Sequence, residues 1–305
     1  MVRPAHFIAN PETAVNNHFQ QTTSDPEQTI AAAREEFDLV VEALLDAGIH
    51  VIVVEDTDNP ITPDALFPNN WVSFHPDGRA ALYPMYAANR RTERRDDILS
   101  LLSDGYGFTL EEVVDFTEFE EHDAFLEGTG SMVLDHVNHL CFACLSERTD
   151  EHAVLHFCEA FGYEPVLFEA FHFVHGESLP VYHTNVIMSI GTSIAIVCAD
   201  AIPNESERIH VLDQLKSTGK ELLLLKPEQM DNFAGNIIEL QSADGSAVFA
   251  MSGSAFRAFS PEQRALLESK GKIVQVDIPT IETHGGGSVR CMIAEIFLPM
   301  PHEAN

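Results

Sequence analysis

The sequence predicts an α/β fold, a closed ring of ββαβ units, on three observations. Two short apolar segments precede each helical stretch, the group recurs roughly every 55 residues, and the two chain ends each carry part of one further unit. In the first unit "NNWVSFH" and "RAALYPM" flank the turn "PDG" and read as two strands, and "RTERRDDILSLLSD" follows as a helix. In the second, "LEGTGSMVLD" and "HLCFACL" are the strand pair, "DEHAVLHFCEAFG" the helix and "EPVLFEA" a returning strand. The third runs "HTNVIMSIG", "SIAIVCAD", helix "SERIHVLDQLKSTG" and strand "ELLLLKP". The fourth runs "GNIIELQS", "AVFAMSG", helix "SPEQRALLESKG" and strand "KIVQVD". The segment "SVRCMIAEIFLP" then opens a fifth unit as its first strand, and the N-terminal helix "TIAAAREEFDLVVEALLDAG" with strand "HVIVVED" completes it. Closing the ring covers the sheet face that each unit alone leaves open. A doubly wound sheet is the rival, but it alternates single strands with helices. No linker or shift of composition divides the chain, so residues 1–305 read as one domain.

Composition narrows the function. Hydrophobic residues make up 45% of the 305, enough for a sizeable core. Acidic residues number 48 against 17 basic, a formal charge of −31 that repels phosphate backbones and anionic bilayers and argues against nucleic-acid and membrane partners. "MVRPAHFIAN" has neither the basic start nor the apolar stretch of a signal peptide, which predicts a cytoplasmic protein. Five cysteines, an odd number in a long chain, read as free thiols. Self-association stays open, because no exposed apolar face can be located from sequence.

In a ring, the starts of the first strands converge on the axis. The residues there are Asp64 and Asn70, Glu127, His183 with Asn185, Asn236, and Cys291, which follows Gly285, Gly286 and Gly287. A cysteine, a histidine and carboxylates brought together are the parts of a thiol-nucleophile site. A thiol needs an imidazolium, a helix N-terminus or a cationic substrate to become thiolate. Taken singly each residue is more often structural; their common place in the repeat is what raises the reading.

On "PDALFPNNW", "LEGTGSMVLD", "HTNV" and "GGGSVRCM" the chain resembles the guanidine-modifying enzymes of the pentein superfamily, among them arginine deiminase, dimethylarginine dimethylaminohydrolase and the amidinotransferases. "ALFPNNWVSFH", "NRRTERR", "FAGN" and "GGGSVRCMIAEIFLP" are most similar to the citrulline-utilisation hydrolases of the CtlX type. The resemblance implies a pseudo-symmetric five-bladed α/β propeller, no cofactor and no metal. It also implies Cys291 as nucleophile, His183 as general acid/base, Glu127 as an acid contacting histidine and substrate, and Asp64 as a further substrate-facing acid. Arginine deiminase-like sequences carry aspartates where Asn70 and Asn185 stand. An ionised carboxylate only accepts hydrogen bonds and suits a guanidinium, whereas an asparagine also donates and suits the carbonyl of a neutral ureido group. The expected substrate is therefore a small ureido or guanidino amino acid, citrulline ahead of arginine, hydrolysed through a covalent thiol intermediate. Amidino transfer and a non-catalytic amino-acid-binding ring are the alternatives. Arg290, beside the nucleophile, or one of Arg90, Arg91, Arg94 and Arg95 is expected to take the substrate carboxylate.

Other residues that invite chemistry are set aside. The pairs His136/His139, His152/His156 and His172/His175 lack a third and fourth ligand with zinc spacing. Cys141 and Cys144 have redox spacing but fall within one strand, where residues three apart face opposite sides.

Overall fold

A computed structural model describes residues 1–174 and 177–300. Near the N-terminus β1 (Val2–Arg3) leads to helix α1 (Pro26–Asp46) and then to β2 (Val54–Glu55), which pairs parallel with β1. Asp25 caps α1 through Gln28 N (3.1 Å) and Pro26 holds its first position, both suited to a helix start. The next unit has β3 (Val72–Phe74), β4 (Arg79–Leu82), a short helix α2 (Asp96–Ser100) and β5 (Glu112–Asp115). A four-residue helix α3 (Gly128–Ser131) precedes β6 (Met132–Asp135), β7 (Leu140–Cys144), α4 (Glu151–Phe161) and β8 (Glu164–Phe168). After an antiparallel pair, β9 (Phe171–Val174) and β10 (Glu177–Pro180), come β11 (Met188–Ile190), β12 (Ile194–Val197), α5 (Glu205–Ser217) and β13 (Glu221–Leu224). The last stretch runs α6 (Pro227–Met230), β14 (Ile238–Gln241), β15 (Ala247–Ser252), α7 (Gly253–Ala258), α8 (Pro261–Lys270), β16 (Lys272–Val276) and α9 (Pro279–Gly285).

Four sheets share one plan: β3-β4-β5, β6-β7-β8, β11-β12-β13 and β14-β15-β16. In each the first pair is antiparallel and the second parallel, as a hairpin followed by a helical crossover requires. The β1-α1-β2 segment repeats the strand-helix-strand half of that plan.

Three expectations change. Val2–Arg3 supplies a strand that the sequence reading had not assigned. "SVRCMIAEIFLP" is not a ladder strand: Val289–Met292 forms a 3₁₀ turn, and Ala294, Ile296 and Leu298 beyond it pack against Val2, Ile52 and Trp71. The helix expected over residues 91–104 is broken into a 3₁₀ segment, α2 and a π turn. Extended backbone at Arg94 and Arg95 interrupts it, leaving Arg90 buried in the interior while Arg94 pairs with Glu120 (2.5 Å) at the periphery.

The seam between the chain ends is apolar. Ala33, Phe37, Val40 and Leu44 of α1 share a core with Ile278, Ile281, Val289 and Met292. Buried Glu36 of α1 accepts from Thr280 N and Ile281 N (2.9 Å each), filling N–H groups that the start of α9 leaves open. Cys141 sits in one core with Cys158 and Cys144 in another, on opposite faces of β7. Among the described residues no helix is long and apolar enough to cross a membrane.

Candidate active site

The residues that were expected to start first strands instead sit in short helical turns. Asn70 N and Trp71 N donate to Phe67 O and Pro68 O, Val186 N to His183 O, and Cys291 N to Ser288 O (3.0–3.3 Å). Satisfying the backbone locally frees these side chains from strand alternation. Ser131 then ties two turns together: its Oγ accepts from Glu127 N (2.9 Å) and donates to Arg148 O (2.7 Å). Thr184 Oγ1 donates to Ser131 O (2.5 Å) and accepts from Cys144 N (2.7 Å), fixing the His183 turn against both α3 and β7.

Cys291, His183, Asp64 and Asn70 line one small cleft, about 270 Å³ including its mouth, together with Arg90, Arg148, Tyr182, Phe67 and the three glycines. Thr13, Asn17 and Gln20 from the N-terminal segment close one side of it. This segment is tied to the glycine loop by Asn17 Nδ2 to Gly286 O (3.2 Å) and Gln20 Nε2 to Gly285 O (2.8 Å). Gly286 has φ +65°, and an added Cβ would lie 2.5 Å from the Asn17 amide, so both backbone and space require glycine. Tyr182 donates its hydroxyl to the same Gly286 carbonyl (2.5 Å). Gly130 is constrained by space alone: a Cβ there would lie 2.5 Å from Asn70 Nδ2 and 2.8 Å from the His183 ring.

The electrostatics form two buried groups joined through Arg90, which lies 3.7 Å from Glu127 Oε2. His183 Nε2 lies 2.8 Å from Glu127 Oε2. Burial would push the Glu127 carboxyl up, but Arg148, the histidine hydrogen bond and Arg90 outweigh it and hold the group far below the usual carboxylate range. A carboxylate can only accept, so Nε2 carries the proton and Nδ1 keeps its lone pair. Burial lowers His183 to about 4 despite Glu127 pulling the other way, so the imidazole is neutral at pH 7. In the second group Arg90 donates to both Glu93 oxygens (3.0 and 2.9 Å) and to Asn70 Oδ1 (2.9 Å), with Asp64 Oδ2 at 3.6 Å. Asn10 Nδ2 donates to Asp64 Oδ2 (2.7 Å), while Asp64 Oδ1 has no partner. Burial pushes the Asp64 carboxyl up, against Arg90 and Asn10.

Three neutral histidines, His183 and His75 buried and His18 half-buried, set an acid limit on the fold. His183, His18 and His75 are each lowered to about 4 by burial, from 6.5. Between those values the unfolded chain binds protons that the folded chain excludes, so folding stability should fall as pH drops from 6.5 to 4. Thermal melts across that window check this; a melting temperature unchanged down to pH 4 would contradict it.

The placement of the expected residues is uneven. Glu127 lies behind His183. Asn185 and Asn236 lie behind the sulfur, with Nδ2 atoms 3.4 and 3.2 Å from Cys291 Sγ. The Arg290 expectation is corrected: its guanidinium pairs with Glu295 (3.1 Å) and donates to Ile293 O, away from the cleft. Arg91 and Arg94 pair with Glu120 and Arg95 with Asp97, leaving Arg90 as the member of that group in the cleft. Sequence reasoning missed Arg148, Tyr182 and the residues of the N-terminal segment. Arg148 reaches Glu127 Oε2 (3.5 Å), Thr13 O (2.9 Å) and Asn16. The scarcity of basic residues was the available signal for it. Of the histidines set aside, His136 bonds the Tyr163 hydroxyl and His172 faces Asp231; His175 lies outside the described residues.

A family model described as N,N dimethylarginine dimethylhydrolase, eukaryotic, matches residues 3–298. The chain belongs to this family. It is thereby a member of the pentein superfamily that its motifs resemble, and solved structures of dimethylarginine dimethylhydrolase type share its α/β fold. One such structure, the dimethylarginine dimethylaminohydrolase adduct with 4-chloro-2-hydroxymethylpyridine, superposes with TM-score 0.60 at 15% identity over 86% of this chain and 90% of that one. Apo ArgZ, an arginine dihydrolase from the ornithine-ammonia cycle in cyanobacteria, gives TM-score 0.71 at 16% identity, over 100% of this chain and 41% of ArgZ. The chain thus spans about two fifths of ArgZ. The product-bound N-terminal domain of ArgZ gives 0.68 at 17%, over 98% of each. A sequence search against curated proteins finds no match.

Proposed function

We propose that residues 1–305 form one catalytic domain, a five-bladed propeller, that hydrolyses a non-peptide C–N bond of a ureido or guanidino amino acid, with citrulline as substrate. Family membership and the cysteine, histidine and carboxylate around one cleft support the reaction class. The observation carrying the substrate is the orientation of Asn70. Arg90, which can only donate, occupies Asn70 Oδ1, so Nδ2 is turned inward beside Gly130 and has no partner. A ureido oxygen fills that donor, and Asp64 Oδ1, an acceptor without a partner, takes a ureido N–H.

In this reading the Cys291 thiol gives its proton to His183 Nδ1 as sulfur attacks the ureido carbon, and Glu127 stabilises the imidazolium that forms. Charge developing on oxygen is met by Asn70 Nδ2. The imidazolium returns the proton to the departing nitrogen and leaves a thiocarbamoyl enzyme. His183 then takes a proton from water, the hydroxide adds to the same carbon, and the C–S bond breaks as the imidazolium returns that proton to the departing sulfur. The carbamic acid released decomposes, so citrulline and one water yield ornithine, ammonia and carbon dioxide whichever nitrogen leaves first.

A second reading, hydrolysis of arginine, is favoured by one observation. Asp64, Glu93 and Glu127 face two buried guanidiniums, Arg90 and Arg148; burial pushes Glu93 up to about 8, but Arg90 donates to both its oxygens and so favours the carboxylate, which leaves one negative charge in excess whenever Asp64 is ionised as well. That excess would welcome a cationic guanidinium, and ArgZ is an arginine dihydrolase. Assay of ornithine, citrulline and ammonia from each substrate separates the two: ornithine from citrulline supports the first, and inert citrulline with citrulline released from arginine overturns it.

A further inference from the structure

A thiol attacking a neutral ureido carbon has no cationic substrate to stabilise its sulfur, and the His183 imidazole is itself uncharged in the resting site. The other charged or titratable groups of the cleft are committed elsewhere. Arg90 is bound to Glu93 and Asn70, Arg148 to Thr13 O and Asn16, Asp64 to Asn10, and the Tyr182 hydroxyl to Gly286 O. What does face the sulfur is a pair of side-chain amides. Asn236 Nδ2 donates one N–H to Asn185 O (3.1 Å) and directs the other at Cys291 Sγ (3.2 Å), while Asn236 Oδ1, 3.7 Å from the sulfur, accepts the proton of the neutral thiol. Asn185 Nδ2 lies 3.4 Å from both Thr129 O and the sulfur. Backbone carbonyls only accept, so they fix which end of each amide is nitrogen. Asn185 Oδ1 is left without a partner, which means its orientation is set by its nitrogen side alone.

We propose that Asn185 and Asn236 are sulfur-directed positioning residues, rather than substrate ligands: their paired N–H groups carry the negative charge of Cys291 when it attacks and again when it departs from the thiocarbamoyl intermediate. This rests on Cys291 being the nucleophile but not on which substrate it attacks. Each is buried, so a hydrogen bond to a charged sulfur is little weakened by water.

The test needs no substrate. Iodoacetamide alkylation of Cys291, followed by mass spectrometry across pH 5–10 with Cys291→Ala as blank, reads the reactive thiolate directly. Asn236→Asp and Asn185→Asp, which keep side-chain shape but replace a donor by an acceptor, should each slow alkylation of the folded chain near neutrality about tenfold, whereas in urea the three chains should react alike. Folded aspartate variants that alkylate as fast as the parent overturn the inference. If they do not fold, Asn236→Ser and Asn185→Ser, which shorten the side chain and withdraw the N–H, take their place with the same expected slowing and the same overturning result. Failure of citrulline turnover together with slowed alkylation in the variants would count against the substrate reading and leave this one standing.

Discussion

Cys291→Ala should lower turnover of citrulline by at least about 10⁴-fold, because no covalent intermediate can form without the sulfur. The fold should survive. The side chain is 5% exposed and packed with Phe67, Val289 and Met292, and losing one buried sulfur costs on the order of 1 kcal/mol. Steady-state ornithine release, with a thermal melt on the same sample, checks both halves. Residual activity within a hundredfold of the parent would remove Cys291 as nucleophile and transfer the question to another group.

Asn70→Asp should exchange substrate preference. The Arg90 bond to Oδ1 persists, so the side chain keeps its place, but the inward atom changes from a donor to an acceptor. A ureido oxygen then faces a carboxylate oxygen, and turnover of citrulline should fall roughly 10⁴-fold, the order expected when a buried partner is mismatched. For arginine the same oxygen accepts a guanidinium N–H, so kcat/KM for arginine should rise. Measuring kcat/KM for both substrates in parent and variant decides it. Equal losses on both would mean that Asn70 holds the site together without reading the substrate.

The repeated plan was legible because each unit announces itself twice, by a strand pair and by the helix that follows. Cys291, His183, Glu127, Asp64 and Asn70 could be gathered from their shared place in the repeat. The structure brings them into one region through turns rather than through strand starts. Arg290 misled because adjacency in sequence was taken for adjacency in space; neighbouring residues of a 3₁₀ turn point about 120° apart. Arg148 was hidden for the opposite reason. It follows β7 in a turn with no periodic context, and only its distances to Glu127 and Thr13 reveal its place. The Val2–Arg3 strand is too short to show alternation, and the breaks between residues 88 and 105 follow from where individual arginines find carboxylates.

The seam has a consequence for the order of folding. His183 and Glu127 are 56 positions apart and meet as soon as two consecutive units dock, whereas the Asn17 bond to Gly286 spans 269 positions. Contacts of such separation form late, since the chain loses its freedom before they reward it. The histidine-carboxylate pair should therefore be assembled first, and the glycine loop should bring the Cys291 thiol to it only when the two chain ends meet. On the proposed mechanism a half-folded molecule would then hold its nucleophile apart from its proton acceptor and be chemically quiet.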